Sequence, residues 1–575
     1  MNSISATASV TASLDDPLYY LANFRFVLGW VHERHGDLLS AAERAFVSDF
    51  GALPQPSQAL LVRMVMRKGE LFRSDKLAYA EIGDTQRGLA PLVEAGWVEA
   101  DPELALADLV RLLRLDELRR VLAEEIAAVG LSPRASKAAL GDALLAQERP
   151  AKRLEEWWPE ANEVLAGERI VRLTVMPWCD RLRLMFFGNL RQDWAEFVLT
   201  ELGLQRFERV ELTPGSRAFH RREEVDAYLA LHQLRERLEA GESPEQLAAE
   251  VPETLDNAWL SQRRGKLLFR LGHAAERTGQ HALALKLYGE SGEGPGGQVE
   301  ARIRRLRLLE RLGEHRQAYT LASRAMASAT GEQEAQALAR LMPRLCRRLG
   351  LAPPGRAPEV VPRRMDLSLP RPATLGVEQA VAEHLSRPEA PVHYVENLLV
   401  TGLFGLLCWP ALYAPLPGAF FHPFHTGPAD LHRDDFVARR RERFEACLAH
   451  LDEGTHGEAI WRAWHDKRGL ASPFVHWEGL DEALLEHALA CIPAAHLRSC
   501  FERLLADLRA NRAGLPDLIQ FLPPGSEGGH RYRLIEVKGP GDRLQDNQRR
   551  WLAFFESRGI EAVVSHVAWQ QGAVS

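Results

Sequence analysis

Residues 514–544 read GLPDLIQFLPPGSEGGHRYRLIEVKGPGDRL, and the placement of charge in this apolar stretch decides the fold of the C-terminal part of the chain. Asp517 follows a proline, and Glu536 and Lys538 stand further on among residues that otherwise suit buried strands. Side chains alternate across a strand, so in RLIEVKG the face bearing Leu534, Glu536 and Lys538 is opposite the face bearing Ile535 and Val537. DLIQF forms the preceding strand, and the Pro- and Gly-rich PPGSEGGH turns the chain back as a hairpin. That return can bring Asp517 beside Glu536. Two ionised carboxylates about 5 Å apart repel by ~3 kcal/mol at an effective dielectric near 20. A divalent cation between them offsets the cost, and oxygen ligands alone suit Mg²⁺ or Mn²⁺. Lys538 can then steer or deprotonate a water, or steady charge on a phosphate, as metal-assisted phosphodiester cleavage requires. A buried ion pair in a plain β-hairpin fits the same spacing.

The flanking sequence favours the first reading. In GDRLQDNQRRWLAFFESRG, residues Leu544, Gln548, Trp551 and Phe555 recur at i, i+4, i+7 and i+11, one helical face. Gln548 is therefore expected to point inward, toward the sheet carrying Glu536, where a buried amide needs a partner. AVVSHVAW is a further strand. Helix, strands, helix, strand is the α/β order of restriction-endonuclease-like folds. Upstream, Glu396 in HYVENLLVTGLFGLLCW opens the most apolar helix of the domain, a costly place for an idle acid. It is assigned to the metal, the alternative being an acid favoured at a helix N-terminus. The apolar run Leu398–Trp409 is too short for a membrane span, which needs about 20 residues, and reads as a buried helix.

At 575 residues the chain is too long for one core. A net charge of −7 excludes a general polycation, so any nucleic-acid binding has to use local basic patches. None of the six cysteines lies in a CxxC, so neither a zinc ribbon nor a disulfide framework is indicated. Residues 1–16 read as disordered and lack the basic and apolar regions of a signal peptide. Residues 17–100 suit a winged-helix-like module or another small helical domain. Residues 101–150 form short amphipathic helices, with Ser132-Pro133 starting a new one, that can bind DNA or simply pack as a pair. Residues 151–256 mix helices with strand-like RIVRLTVM and RLRLMFF. Within 257–350, ERTGQHALALKLY (276–288) matches ERLGEHRQAYTLA (310–322) at an offset of 34, the tetratricopeptide period of stacked antiparallel helix pairs. The Pro-rich segment 351–375 reads as an extended linker, and 376–575 as the last domain.

Arginine supplies most of the positive charge. Arg304, Arg305 and Arg307 belong to an Arg-rich run in the second repeat, a phosphate-tracking face or a solvated one. Arg509 and Arg512 lead into Asp517, and Arg439 and Arg440 cluster near the expected mouth of the site. Backbone phosphates are natural partners for these planar, permanently charged groups.

GLPDL…LIEVKGPGDRL…NQRRWL resembles the VRR-NUC nuclease domain. VENLLVTGLFGLLCW, GPADL, FVARRRERFE and WHDKRGLASPFVHW resemble the larger Fanconi-anaemia-associated nuclease family. The resemblance covers about 380–575 and, more weakly, 55–350, where the family has a SAP-type DNA-binding segment followed by tetratricopeptide-like helices. It implies a mainly α-helical N-terminal and repeat region followed by an α/β restriction-endonuclease-like, PD-(D/E)xK domain. It also implies a Mg²⁺- or Mn²⁺-dependent structure-specific DNA nuclease, a 5′-flap endonuclease and 5′→3′ exonuclease serving interstrand-crosslink repair. Catalytic roles carry over to Glu396, Asp517, Glu536 and Lys538, and one or two ions to Glu396, Asp517, Glu536 and Val537. A phosphate-contacting base is implied near Arg509. His425 stands where the family often has Gln, and either contacts a water beside the metal or is an ordinary loop histidine. The partner implied is branched or flapped duplex DNA, with room for a protein partner on the repeats. Similar stand-alone domains resemble dimeric Holliday-junction resolvases. The insert between Glu396 and Asp517 can block such pairing, which favours a monomer. The compartment is cytoplasmic and nucleoid-associated in a bacterium, nuclear in a eukaryote. The rival class is a non-catalytic repeat scaffold carrying a degenerate nuclease domain.

Overall fold

The computed structural model describes residues 16–128, 134–145, 149–160, 168–194, 206–213, 215–253, 256–293, 297–328, 331–355, 361–371, 374 and 376–570. The expected disorder at 1–16 therefore falls, but for Asp16, outside the described residues, as does the Ser132-Pro133 helix start. By its contacts the chain divides into two compact units, 1–205 with 212–225, and 206–211 with 226–575.

In the first unit, helices Tyr19–His35, Ala41–Ala52, Gln55–Val65 and Thr85–Glu94 bury Phe24, Val27, Leu60, Met64 and Leu92. A capping box between Ser40 and Glu43 sets the start of the second helix, and the Asp84 carboxylate caps the fourth. Strand β1 (Leu71–Arg73) and β2 (Val98–Glu99) both pair antiparallel with β3 (Ile170–Leu173), which lies between them. Of the two strand-like stretches expected here, RIVRLTVM supplies β3, but RLRLMFF lies in the helix Met176–Phe187. Pro177 in the first turn costs that helix no hydrogen bond, and Gly188, at φ 67°, closes it in the left-handed conformation. Leu184 to Phe187 are buried consecutively, so the pattern carries no period that tells helix from strand. The short helices of 106–145 pack on Leu109, Leu118, Leu140, Leu144 and Trp157.

After the helices Arg222–Glu239 and Pro244–Ala249, the second unit continues with helices Ala258–Arg277, His281–Gly292, Val299–Arg311, His315–Ser328 and Glu332–Leu349. Gly279 and Gly313, one repeat apart, both take positive φ (80° and 84°) in the turns between paired helices, and His281 and His315 open the helices that follow. The repeat period thus has a backbone cause, a left-handed turn that only Gly makes without strain. A five-stranded mixed sheet follows, in the order β4 (Arg363–Leu369), β8 (Ala562–Trp569), β7 (Tyr532–Lys538), β6 (Leu518–Phe521), β5 (Val392–Tyr394). β4 and β7 run parallel to β8, whereas β6 runs antiparallel to β7 and β5 antiparallel to β6. The expected linker 351–375 is corrected here, because it contains β4. Pro362 and Pro370 bracket that strand, and as an edge strand it pairs on one side only, so prolines at its ends remove no ladder bond. One face of the sheet buries Leu518, Ile535, Val537, Val563 and Val567 against Val381. Helix Leu399–Leu407 is buried almost throughout. Among the described residues no helix is long and apolar enough to cross a membrane, and the six cysteines are buried free thiols.

Candidate active site

The hairpin β6–β7 pairs Leu518 with Ile535, and one step back along that register sets Asp517 opposite Glu536. The Val537 amide donates to Asp517 Oδ2 at 2.7 Å, which fixes the carboxylate at the mouth of the hairpin. Alternation along β7 sends Ile535 and Val537 into the core and leaves Glu536 and Lys538 together on the other face, with Lys538 Nζ 2.8 Å from Glu536 Oε1. Any metal contact from Val537 thus comes from its backbone, since its side chain is buried in the apolar cluster. Glu396 sits in the turn between β5 and helix Leu399–Leu407, one turn ahead of the helix it was expected to open. The amide of Val395 donates to the Asp517 carbonyl at 2.7 Å, so the Glu396 turn is laced to the Asp517 turn. The structure therefore brings Asp517, Glu536, Lys538 and Glu396 to one end of the sheet.

Glu536 is only 1 % exposed, and neither of its oxygens accepts a well-directed hydrogen bond. Desolvation, then the Asp517 charge, raises its pKa from 4.5 to about 7 despite the Lys538 ammonium. Desolvation likewise raises Asp517 from 3.8 to about 6, opposed by the Val537 amide and assisted by Glu396. Among the described residues no three His, Cys, Asp or Glu side chains are closed into a ready metal cage. Even so, buried carboxylate oxygens that keep lone pairs open and face other carboxylates are the hard oxygen set that Mg²⁺ or Mn²⁺ takes. The residues present fit such an ion.

Other expected residues divide. Arg509 is exposed and lies between two clefts, one of about 620 Å³ lined also by Arg304, Arg307, Asn547 and Arg550, the other of about 400 Å³ lined by Asn397, Pro473, Phe474, His476 and Arg512. Arg307 is exposed, whereas Arg304 is paired with the buried Glu276 at 2.8 Å and Arg305 with Glu293 at 3.3 Å. Arg512 is turned into the fold, donating to the Pro473 carbonyl with its guanidinium 4.5 Å from the Phe474 ring centre. The expectation for Arg439 and Arg440 is corrected. Arg440 is 1 % exposed and makes two 2.9 Å bonds to Asp430, which Arg439 also holds, so the pair neutralises a buried acid and offers little to a phosphate. Gln548 is corrected too. It is half-buried, and its Oε1 accepts from the Gln545 amide in the capping box that starts its helix. His425 stacks on His422 with ring centres 3.8 Å apart and accepts from the Phe421 amide. Tyr394 and Asn397, which the sequence reading passed over, both bond to the Glu396 carboxylate. The signal available was the i, i+2 spacing of Tyr394 and Glu396, which places both on one face.

Three family models match the chain: "FAN1, HTH domain" over residues 18–99, "Fanconi anemia-associated nuclease SAP domain" over 103–157, and "VRR-NUC domain" over 451–569. Glu396 lies upstream of the last. A Fanconi-associated nuclease 1 homolog of Pseudomonas aeruginosa is 51 % identical over 563 residues, 97 % of each chain. A homolog of Arabidopsis thaliana is 25 % identical over 95 % of this chain and 67 % of its own length. The crystal structure of paFAN1 bound to a 2-nucleotide 5′-flap DNA with gap superposes with a TM-score of 0.91 at 50 % identity, over 98 % of this chain and 100 % of that one. On these grounds the chain belongs to the Fanconi-associated nuclease 1 family.

Proposed function

We propose that this protein is a metal-dependent, structure-specific DNA nuclease that cuts 5′-flapped duplexes and degrades from 5′ ends. The observation that carries the reading is the meeting of Asp517, Glu536, Lys538 and Glu396 at the end of one sheet, with both oxygens of Glu536 buried and only the Lys538 ammonium beside them. Asp517, Glu536 and Glu396, with the Val537 backbone, would hold one or two Mg²⁺ or Mn²⁺ ions. When bound, such an ion supplies the Lewis acidity that favours an ionised water and a departing oxyanion. Lys538 holds its ammonium beside Glu536, where it orients the attacking water or balances charge on the phosphate. The exposed guanidinium groups of Arg307 and Arg509 hold the DNA backbone in the clefts leading to the carboxylates, contacts that read shape more than sequence. A solved relative that carries a 5′ flap supports the substrate class. A repair role in crosslink removal and a monomeric working state accord with the family name and with the helices 441–452, 456–467, 482–491 and 494–506 that fill the chain between Glu396 and Asp517.

The test is a 5′-flap DNA incubated with Mn²⁺, with and without EDTA. The wild-type protein is expected to cut only with metal, and Asp517→Ala to lose at least ~100-fold in rate. Equal cutting by Asp517→Ala would exclude this active site. No cutting of any branched DNA by the wild type would favour a binding scaffold.

A further inference from the structure

Asn397 is, among the described residues, the only one other than glycine with positive φ, at 50°. Such a conformation is uncommon outside glycine and gathers at functional turns that the surrounding structure over-determines. Here the determinants are visible. The Asn397 Oδ1 accepts from the Leu515 amide at 3.3 Å, two residues before Asp517, and the neighbouring Val395 amide donates to the Asp517 carbonyl. The other end of the same side chain, Nδ2, donates to Glu396 Oε1 at 3.3 Å. From the opposite side the Tyr394 hydroxyl donates to Glu396 Oε2 at 2.5 Å. Tyr394 pairs in register with Leu518, next to Asp517. Each oxygen of Glu396 thus carries one donor, from a residue itself anchored to the strand that bears Asp517. A carboxylate oxygen has two lone-pair positions, so one stays open on each.

We propose that Tyr394 and Asn397 are positioning residues for metal binding, a two-sided clamp that holds the exposed Glu396 carboxylate in the orientation that meets the ion shared with Asp517 and Glu536. The inference rests on the proposed role of Glu396 as a ligand. An exposed, unclamped glutamate samples several rotamers, and fixing them before binding spares the ion that ordering cost. The left-handed turn is the backbone half of the device, because it reverses the chain between β5 and the helix Leu399–Leu407 tightly enough for residues 394 and 397 to reach the same carboxylate.

The test titrates Mn²⁺ into the full-length, DNA-free protein by electron paramagnetic resonance, alongside thermal melts and flap-cleavage kinetics. Tyr394→Phe removes one donor and keeps the ring. Asn397→Gly keeps the backbone conformation and removes the other donor. Each is expected to weaken Mn²⁺ binding roughly 10-fold and to lower kcat while KM for DNA holds. Unchanged Mn²⁺ affinity in Tyr394→Phe and Asn397→Gly, with only a lower Tm, would overturn the clamp. Glu396→Gln serves as the control. If it weakens Mn²⁺ binding while the clamp variants do not, the clamp alone fails. If Glu396→Gln itself leaves Mn²⁺ binding intact, the ligand role fails and the clamp with it.

Discussion

Glu536 shows most directly how a site can be unfavourable for its own fold. Its folded-state pKa is raised from 4.5 to about 7, chiefly by desolvation, so the folded state retains a proton that the unfolded state has released. The contribution to stability is fully present below pH 4.5 and is lost as pH rises through 7, and a shift of this size corresponds to about 3 kcal/mol. Asp517 acts in the same direction over a lower window, from 3.8 to about 6. In EDTA, Glu536→Gln, which cannot ionise, is therefore expected to melt above the wild type at pH 7.5 and close to it at pH 4.5, with Mn²⁺ raising the wild type alone at the higher pH. A wild type more stable than Glu536→Gln in EDTA at pH 7.5 would show that the carboxylate is not the burden its burial implies. Glu536 and Lys538 were legible in the sequence because strand alternation put two charges on one face of an apolar run. The clamp on Glu396 was not, because a left-handed backbone leaves no mark in composition and any asparagine can adopt it. Nor was the fate of Arg440, since a triple arginine in sequence does not say which member finds Asp430 and is buried with it.

At the scale of elements, the repeats were legible and their surface was not. The offset of 34 residues follows from helix pairs closed by Gly279 and Gly313, so it reads directly from sequence. The Arg-rich run, however, is largely spent on ion pairs that join the first helices of neighbouring pairs, each skipping the helix between them. Arg302 holds Glu334 with two 2.7 Å bonds, Arg304 and Arg311 share Glu276, and Arg344 holds Glu310 at 2.8 Å. Glu276 also accepts from the Tyr288 hydroxyl, and its pKa falls to about 2 as these donors outweigh desolvation. Arg307 is exposed on the wall of the larger cleft. Arg307→Ala should therefore weaken flap-DNA binding and lower the slope of log affinity against log salt by about 1, whereas Arg302→Ala should cost about 1 kcal/mol of stability and leave that slope alone. Fluorescence anisotropy at several salt concentrations, with chemical denaturation, separates the two. Equal slopes for wild type and Arg307→Ala would mean that this face is merely solvated.

Within the second unit as a whole, the last repeat helix is bolted to the nuclease sheet's helices, and one arginine is the bolt. Arg503, on helix Ala494–Ala506 and 8 % exposed, bonds Glu332 at the start of the repeat helix Glu332–Leu349. Its guanidinium lies 4.8 Å from the ring centre of Trp551 and 4.6 Å from that of Phe554, both on the helix Asp546–Ser557 that precedes β8. Arg550 donates to Gln336 at 2.6 Å and Arg340 pairs with Asp546, adding two further ties across the same seam. The larger cleft opens along that seam, with Arg304 and Arg307 on the repeat side and Arg509 and Arg550 on the nuclease side. Its width is thus set by how the two sets of helices are held, while the carboxylates of the sheet are fixed by their own hairpin. Arg503→Met keeps most of the apolar stem and removes the charge, so it should cost about 2 kcal/mol through the lost pair and ring contacts. It should also lower flap-DNA affinity several-fold while Mn²⁺ binding at Asp517 and Glu536 stays as in the wild type. DNA affinity that held despite the lost stability would mean that the grip on the duplex does not depend on the seam, and that repeats and sheet act on DNA as separate surfaces.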